Sequence, residues 1–170
     1  MKPPYTFHLQ TPRLLLRELR PTDAPQFYAL NNDPEVLRYT GDVPFENEAA
    51  ACTFLEHYAA YDQFGYGRWA VVRHTDGAWL GWCGLSKQSV DAAPDLGFRF
   101  FRRYWGQGYA TEAAGACLQW ARSQSIPRVV GRAMPGNTAS VRVLEKVGMS
   151  FWKERETEGT RWAIFHTAPG

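Results

Sequence analysis

The chain has 170 residues, 45% of them hydrophobic, with 19 Lys plus Arg against 17 Asp plus Glu for a formal charge of +2. That length and apolar content suit one globular domain, read here as 1–170, with a substantial core. The charge balance excludes a nucleic-acid platform and a polybasic membrane anchor, and no run approaches the roughly 18 apolar residues of a membrane span.

The N-terminal MKPPYTFHLQTPR lacks the apolar middle of a secretory signal, so the chain reads as unexported. Cys52, Cys83 and Cys117 are odd in number and far apart, which fits neither a disulfide framework nor a metal pair. A reduced, cytoplasmic setting follows. The histidines are scattered as well, and no metal is expected.

In chain order, RLLLREL (13–19) has the pattern of a strand, and Asp23 reads as the N-cap of a helix carrying Phe27 and Leu30. A short helix fits PEVLRY, and a longer one fits ENEAAACTFLEHYAAYDQF up to Gly65. The period then changes. GRWAVVRH, AWLGWCGLS and DLGFRFF are strands of an antiparallel meander, separated by turns at Thr75-Asp76-Gly77 and at Asp91-Ala92-Ala93-Pro94. From Gly108 onward, Ala110, Ala113, Ala114, Cys117, Leu118 and Ala121 lie on one helical face. RVVGRAM (128–134) is a strand, NTASVRVLEKV (137–147) a helix ended by Gly148, and MSFWKERE and TRWAIFHT form a terminal hairpin. The fold class is α+β: a mixed, mostly antiparallel twisted sheet of about seven strands with helices on both faces. One strand–helix–strand crossover at 95–134 makes a parallel step.

The helix at 109 lacks the usual Ser, Thr, Asp or Asn cap. Trp105, Gly106, Gln107 and Gly108 stand before it, with Arg102 and Arg103 nearby. Uncapped N–H groups at a partly positive helix end, reached over a low-bulk turn, suit a phosphate or pyrophosphate; the same glycines also fit a plain tight turn. A P-loop is absent, and the third glycine of GxGxxG is missing.

YWGQGYATEA resembles the acyl-CoA signature of the GNAT superfamily of N-acetyltransferases, a Q/R-x-x-G-x-G/A turn opening a helix. Gly108 and Ala110 match its last two defined positions, and Trp105 stands where Gln or Arg is usual. That departure is familiar in the RimJ/RimL-like enzymes, which acetylate N-termini of ribosomal proteins. TPRLLLRELRPTDAPQFYAL…NDPEVLRY and NTASVRVLEKVGM are similar to the same branch, so the resemblance covers about residues 11–167.

The resemblance implies direct attack of an amine acceptor on the thioester of acetyl-CoA, without a metal. It assigns backbone groups of about Phe98, Phe100 and Phe101 to the pantetheine arm, an N–H near Phe100 to the oxyanion, and the amides of Trp105, Gly106, Gln107, Gly108, Tyr109 and Ala110, with Arg103, to the pyrophosphate. The aromatic side chains themselves read as core. In the N-x-x-S pattern, Asn137 contacts the pantetheine and Ser140 sits near the sulfur. Asn137 is equally a helix N-cap, and Ser140 equally a first-turn surface residue. Leu144 occupies the place of the tyrosine that other branches use to protonate the thiolate, which leaves Ser140 as the candidate. Asp95 is either a base acting through water or a solvated strand-entry residue. Glu112 suits the helix dipole and reads as structural.

At pH 7 an α-amine of pKa about 7.8 is on the order of 10% neutral, whereas a lysine near 10.4 is neutral about once in a few thousand. With no evident Glu/His base, the acceptor is expected to be an α-amine or another weakly basic primary amine, on a protein N-terminus or on a small molecule such as an antibiotic, an amino acid or a polyamine; the near-neutral charge speaks against the strongly cationic ones. The acceptor groove is expected between a helical segment at Tyr39–Phe45 and the strand edges near Trp82. A non-catalytic acyl-CoA sensing module is the alternative, and a homodimer stays open.

Overall fold

A computed structural model describes residues 8–89 and 92–167. The elements run β1 (His8–Gln10), β2 (Leu14–Glu18), α1 (Ala24–Leu30), α2 (Pro34–Leu37), α3 (Glu48–Glu56), α4 (Ala60–Phe64), β3 (Arg68–Arg73), β4 (Trp79–Ser86), β5 (Asp95–Phe100), α5 (Tyr109–Ser123), β6 (Val130–Ala133), α6 (Thr138–Lys146), β7 (Ser150–Thr157) and β8 (Thr160–His166). The strands form one eight-stranded sheet in the order β1-β2-β3-β4-β5-β6-β8-β7. Among the described residues only β5 and β6 pair in parallel, so the mixed, mostly antiparallel architecture is as the periodicities predict. The extra strand is β1, three residues that pair with β2 and are too short to show a period.

Alternation along the strands sends apolar side chains to both faces of the sheet. On one face, Leu14, Leu16, Trp69, Val71 and Leu85 pack with the small-residue side of α5, where Ala113, Ala114, Cys117, Leu118 and Ala121 are buried. On the other, Leu19, Ala70, Trp79 and Phe101 pack with Phe27 and Leu30 of α1 and with Ala51 and Leu55 of α3. Helices therefore cover both faces. Each fully buried Leu or Val stabilises the fold by about 1.5–3 kcal/mol.

Three local expectations need correction. The long helix up to Gly65 is two helices, because the chain between them turns Tyr58 and Tyr61 onto the entry to β3. Tyr58 Oη accepts the Arg68 N–H at 2.8 Å, and Tyr61 Oη accepts the Leu19 N–H at 2.9 Å while donating to the Arg68 carbonyl. These tertiary bonds outweigh helical continuity. Asp23 stands at the N-cap position of α1, but its side chain makes no cap hydrogen bond there. A 3-10 turn at Pro21–Asp23 comes first, and its carboxylate accepts the Arg20 N–H at 2.8 Å and two Arg17 bonds at 2.8 Å each. Finally, residues 41–45 form an irregular loop after α2 rather than a helix. The turn expected at Asp91–Pro94 begins on a residue outside the described residues, and the whole N-terminal stretch 1–7 lies outside them as well.

Candidate active site

The parallel pair β5–β6 joins only at Asp95 with Val130 and Leu96 with Gly131. Beyond Leu96 the two strands part, and a cleft opens between them. Antiparallel neighbours alternate between partners that exchange hydrogen bonds and partners that do not. Phe101 donates to Leu80 O of β4 at 3.1 Å, so by that alternation Arg99 and Gly97 also face β4. The backbone groups of Phe98 and Phe100 then face the cleft. Trp105 Nε1 donates to the Phe100 carbonyl at 2.8 Å, which leaves the Phe98 N–H and C=O and the Phe100 N–H along this edge. Phe101 lies apart from the cleft: its N–H goes to β4, its carbonyl accepts the Tyr104 N–H at 2.9 Å, and its ring is in the core.

The mouth of the cleft is the N-terminus of α5. Gly106 and Gly108 have φ of +73° and +81°, left-handed values that other residues adopt at a cost. Gly108 is the N-cap residue, and no side chain caps the helix. A Cβ added at Gly106 would meet nothing within 4 Å. The turn therefore presents bare backbone to open space, as close approach of an anion requires. One at Gly108 would lie 3.3 Å from Arg13 Nη2. Arg13 also donates to the Gln107 carbonyl at 2.9 Å and pairs with Glu112 at 2.7 Å. Glu112 accepts from Thr11 Oγ1 at 2.6 Å and from the Arg13 N–H at 2.9 Å, binding the entry of β2 to the first turn of α5. Burial opposes ionisation of Glu112, but the bonds from Thr11 and Arg13 outweigh it and hold the carboxyl below its ordinary range. Arg103 stacks on Phe101 and Tyr104, at 4.3 and 4.9 Å from their ring centroids, while Gln107 donates to the Arg103 carbonyl at 3.1 Å.

Two cavities meet at this cleft. One of about 380 Å³ runs along Phe98, Phe100, Trp105, Gly106, Gly108, Tyr109 and Ala110 to Asn137 and Ser140. The other, about 560 Å³, is lined by Asp95, Arg68, Arg99, Arg132, Trp82 and Trp162, with Phe27, Phe45, Phe54 and Tyr58 along an apolar side. Tyr39, Thr40, Phe98, Arg99, Asn137 and Ser140 line both. Asn137 Oδ1 caps α6 by accepting the Ser140 N–H at 3.2 Å, which fixes the first turn where Ser140 sits. Among the described residues, Ser140 Oγ has no hydrogen-bond partner.

Asp95 pairs with Arg68 at 3.5 Å and, more distantly, with Arg132 at 3.9 Å. Burial pushes its carboxyl above the ordinary carboxylate range, against the pull of Arg68 and Arg132. Gly97 makes room for this arrangement, since a Cβ there would sit 2.7 Å from Arg68 Nη1. Two residues at the site have no local sequence signal: Arg13, far from Gly108 along the chain, and Arg132, one residue of a short strand. Tyr39, at the edge of the expected acceptor groove, lies with its ring against Gly136 at the turn into α6.

A cleft between parting parallel strands, with an uncapped helix end at its mouth, is a cofactor-binding arrangement met in acyl transfer. The acetyltransferase (GNAT) domain model matches residues 13–150, and the chain belongs to the GNAT acetyltransferase family. It is an N-acetyltransferase by this membership. Among its relatives, YkkB of Bacillus subtilis (strain 168) is 34% identical over 151 residues, covering 85% of this chain and 86% of YkkB. FsC-acetyl coenzyme A-N(2)-transacetylase of Aspergillus fumigatus is 30% identical over 153 residues, covering 84% of this chain and 64% of that protein. The solved ribosomal-protein-S5-alanine acetyltransferase of Vibrio fischeri shares the fold, with TM-score 0.81 at 15% identity over 95% of this chain and 96% of that one.

Proposed function

We propose that this chain transfers the acetyl group of acetyl-CoA directly to a primary α-amine, as a cytoplasmic enzyme of the RimJ/RimL-like branch. The observation that carries the reading is the junction of the two cavities at Phe98, Asn137 and Ser140: one leads from an anion-seeking helix end and the other from a carboxylate.

The smaller cavity fits acetyl-CoA. The turn at Trp105, Gly106, Gln107, Gly108, Tyr109 and Ala110 would take the pyrophosphate on backbone N–H groups, with Arg13 adding charge. The open edge at Phe98 and Phe100 would pair with the pantetheine arm as an added strand. Acetyl-CoA supplies an activated acyl carbon and a thiolate leaving group. Next to that junction, on the side of the smaller cavity, the Phe100 N–H would face the developing oxyanion, and at the junction Ser140 Oγ is free to give a proton to sulfur. A thiol pKa of about 8.5 means that this help need only be modest. Asp95 accepts the proton of the incoming ammonium, through water. Its raised affinity for a proton suits a base better than a solvated strand-entry role would.

The branch assignment rests on Trp105 and on the similar stretches near both ends of the chain. The α-amine preference rests on amine basicity and on the FsC relative, whose name describes transfer at N(2). Calorimetry with acetyl-CoA followed by free-thiol release over peptide N-termini and small α-amines tests the reading. Binding with turnover is expected, and tight binding without turnover on any amine would point to a sensing module instead.

A further inference from the structure

The larger cavity brings three guanidinium groups, Arg68, Arg99 and Arg132, against two carboxylates, Asp42 and Asp95, a local balance of 3 − 2 = +1. Two of the arginines are committed. Arg68 donates to the carbonyls of Gly84 and Asp95 at 2.7 and 3.0 Å and pairs with the Asp95 carboxylate. Arg99 donates to Asn31 Oδ1 at 2.5 Å and to Asp42 at 2.7 Å. Both lie against Trp82, at 5.0 and 5.2 Å from its ring. Arg132 is different. Its side chain is 44% exposed, its nearest carboxylate oxygen is 3.9 Å away, and its guanidinium lies 4.9 Å from the Trp162 ring centroid. Among the described residues, no hydrogen bond engages that fork. Arg99 Nε and Trp82 Nε1 are also buried with no partner among the described residues. The cavity thus holds a surplus of donors and of positive charge, a poor match for a purely cationic amine.

From this surplus we infer that the acceptor carries its own carboxylate: it is a free α-amino acid with a large apolar side chain rather than a peptide N-terminus, and Arg132 holds the carboxylate. The inference rests on the transferase reading above and narrows its acceptor. In an α-amino acid the amine is two bonds from the carboxylate carbon, so a carboxylate on the Arg132 fork leaves the amine beside Asp95, the next group along. The planar fork suits a carboxylate in two-pronged contact. Phe45, Phe54 and Tyr58 then provide the wall for an apolar side chain.

The test compares phenylalanine, phenylalanine amide and a peptide with N-terminal phenylalanine by free-thiol release from acetyl-CoA, in wild type, Arg132→Gln and Arg132→Lys. The amide and peptide amines are the less basic and so more often neutral; chemistry alone favours them. The expected kcat/KM for the free acid is nevertheless about tenfold or more above both. Most of that ratio should vanish in Arg132→Gln through KM and return in part in Arg132→Lys, with acetyl-CoA affinity unchanged in both. Turnover of amide or peptide at least as good as that of the acid would overturn the carboxylate assignment and leave the transferase reading intact. So would an acid preference that survives Arg132→Gln. Thiol release with none of these three, while other amines are turned over, would overturn the apolar amino-acid assignment alone; release with no amine at all, despite acetyl-CoA binding, would count against the transferase reading itself and take this inference with it.

Discussion

Asp95 is the residue whose environment bears most directly on chemistry. Burial raises its pKa against two arginines, so as a base it loses function below a pH higher than an ordinary carboxylate would need. As the proposed base, Asp95 would make the ammonium form of the acceptor usable, and the acid limb of kcat/KM should follow this raised carboxyl pKa. In Asp95→Asn only neutral amine reacts, so the limb should move up towards the amine's own pKa, about 7.8 for a peptide α-amine, and the rate at pH 7 on that amine should fall on the order of tenfold. An unmoved limb would return Asp95 to strand entry. Ser140→Ala should lower kcat roughly ten- to a hundredfold while the acetyl-CoA Kd is unchanged; equal rates would leave Ser140 as an ordinary first-turn residue. Asp95, Asn137 and Ser140 were legible because each stands at the start of an element that its own local pattern marks. Arg13 and Arg132 were not, because they reach the site only through strand pairing and packing between segments distant in sequence.

At the scale of elements, the first turn of α5 does two jobs. Its backbone faces open space at Gly106, and its Glu112 side chain holds the entry to β2. Gly108→Val puts a β-branched residue at φ +81°, which costs about 1–2 kcal/mol from backbone strain alone. It should abolish acetyl-CoA binding by calorimetry while circular dichroism still reports a folded chain; retained affinity would contradict the turn as phosphate site. The strain was not legible from the glycine spacing, which showed only the lack of bulk. Glu112→Gln should reduce stability at pH 7 by about 1 kcal/mol, because charge-assisted bonds from a half-exposed Arg13 are lost. A carboxyl whose folded pKa is depressed contributes stability above its unfolded pKa, about 4.3, and loses that contribution as pH falls through the folded value. The difference between wild type and Glu112→Gln in urea titrations should therefore shrink on acidification. A difference constant with pH would contradict the charge-based account.

For the whole molecule, element order was readable because the change from 3.6- to 2-residue period is local to each segment. The placement of β8 between β6 and β7 was not readable, since it follows from pairing between chain-distant strands. That placement, with the early parting of β5 and β6, leaves an opening between strands within the sheet. A ligand seated there contacts both halves of the sheet, so saturating acetyl-CoA should stabilise the fold by about 2.7 kcal/mol at a hundred times its Kd. In a domain of this size that amounts to a rise in Tm of roughly 5–10 °C. Direct transfer at the junction of the two cavities leaves no acyl group held by the chain. Its most direct test is rapid mixing of the enzyme with acetyl-CoA, with and without an α-amine acceptor, while free thiol is followed. Direct transfer predicts no release without amine and sustained release with it. A burst of thiol equal to the enzyme concentration in the absence of amine, the mark of an acyl-enzyme, would contradict it.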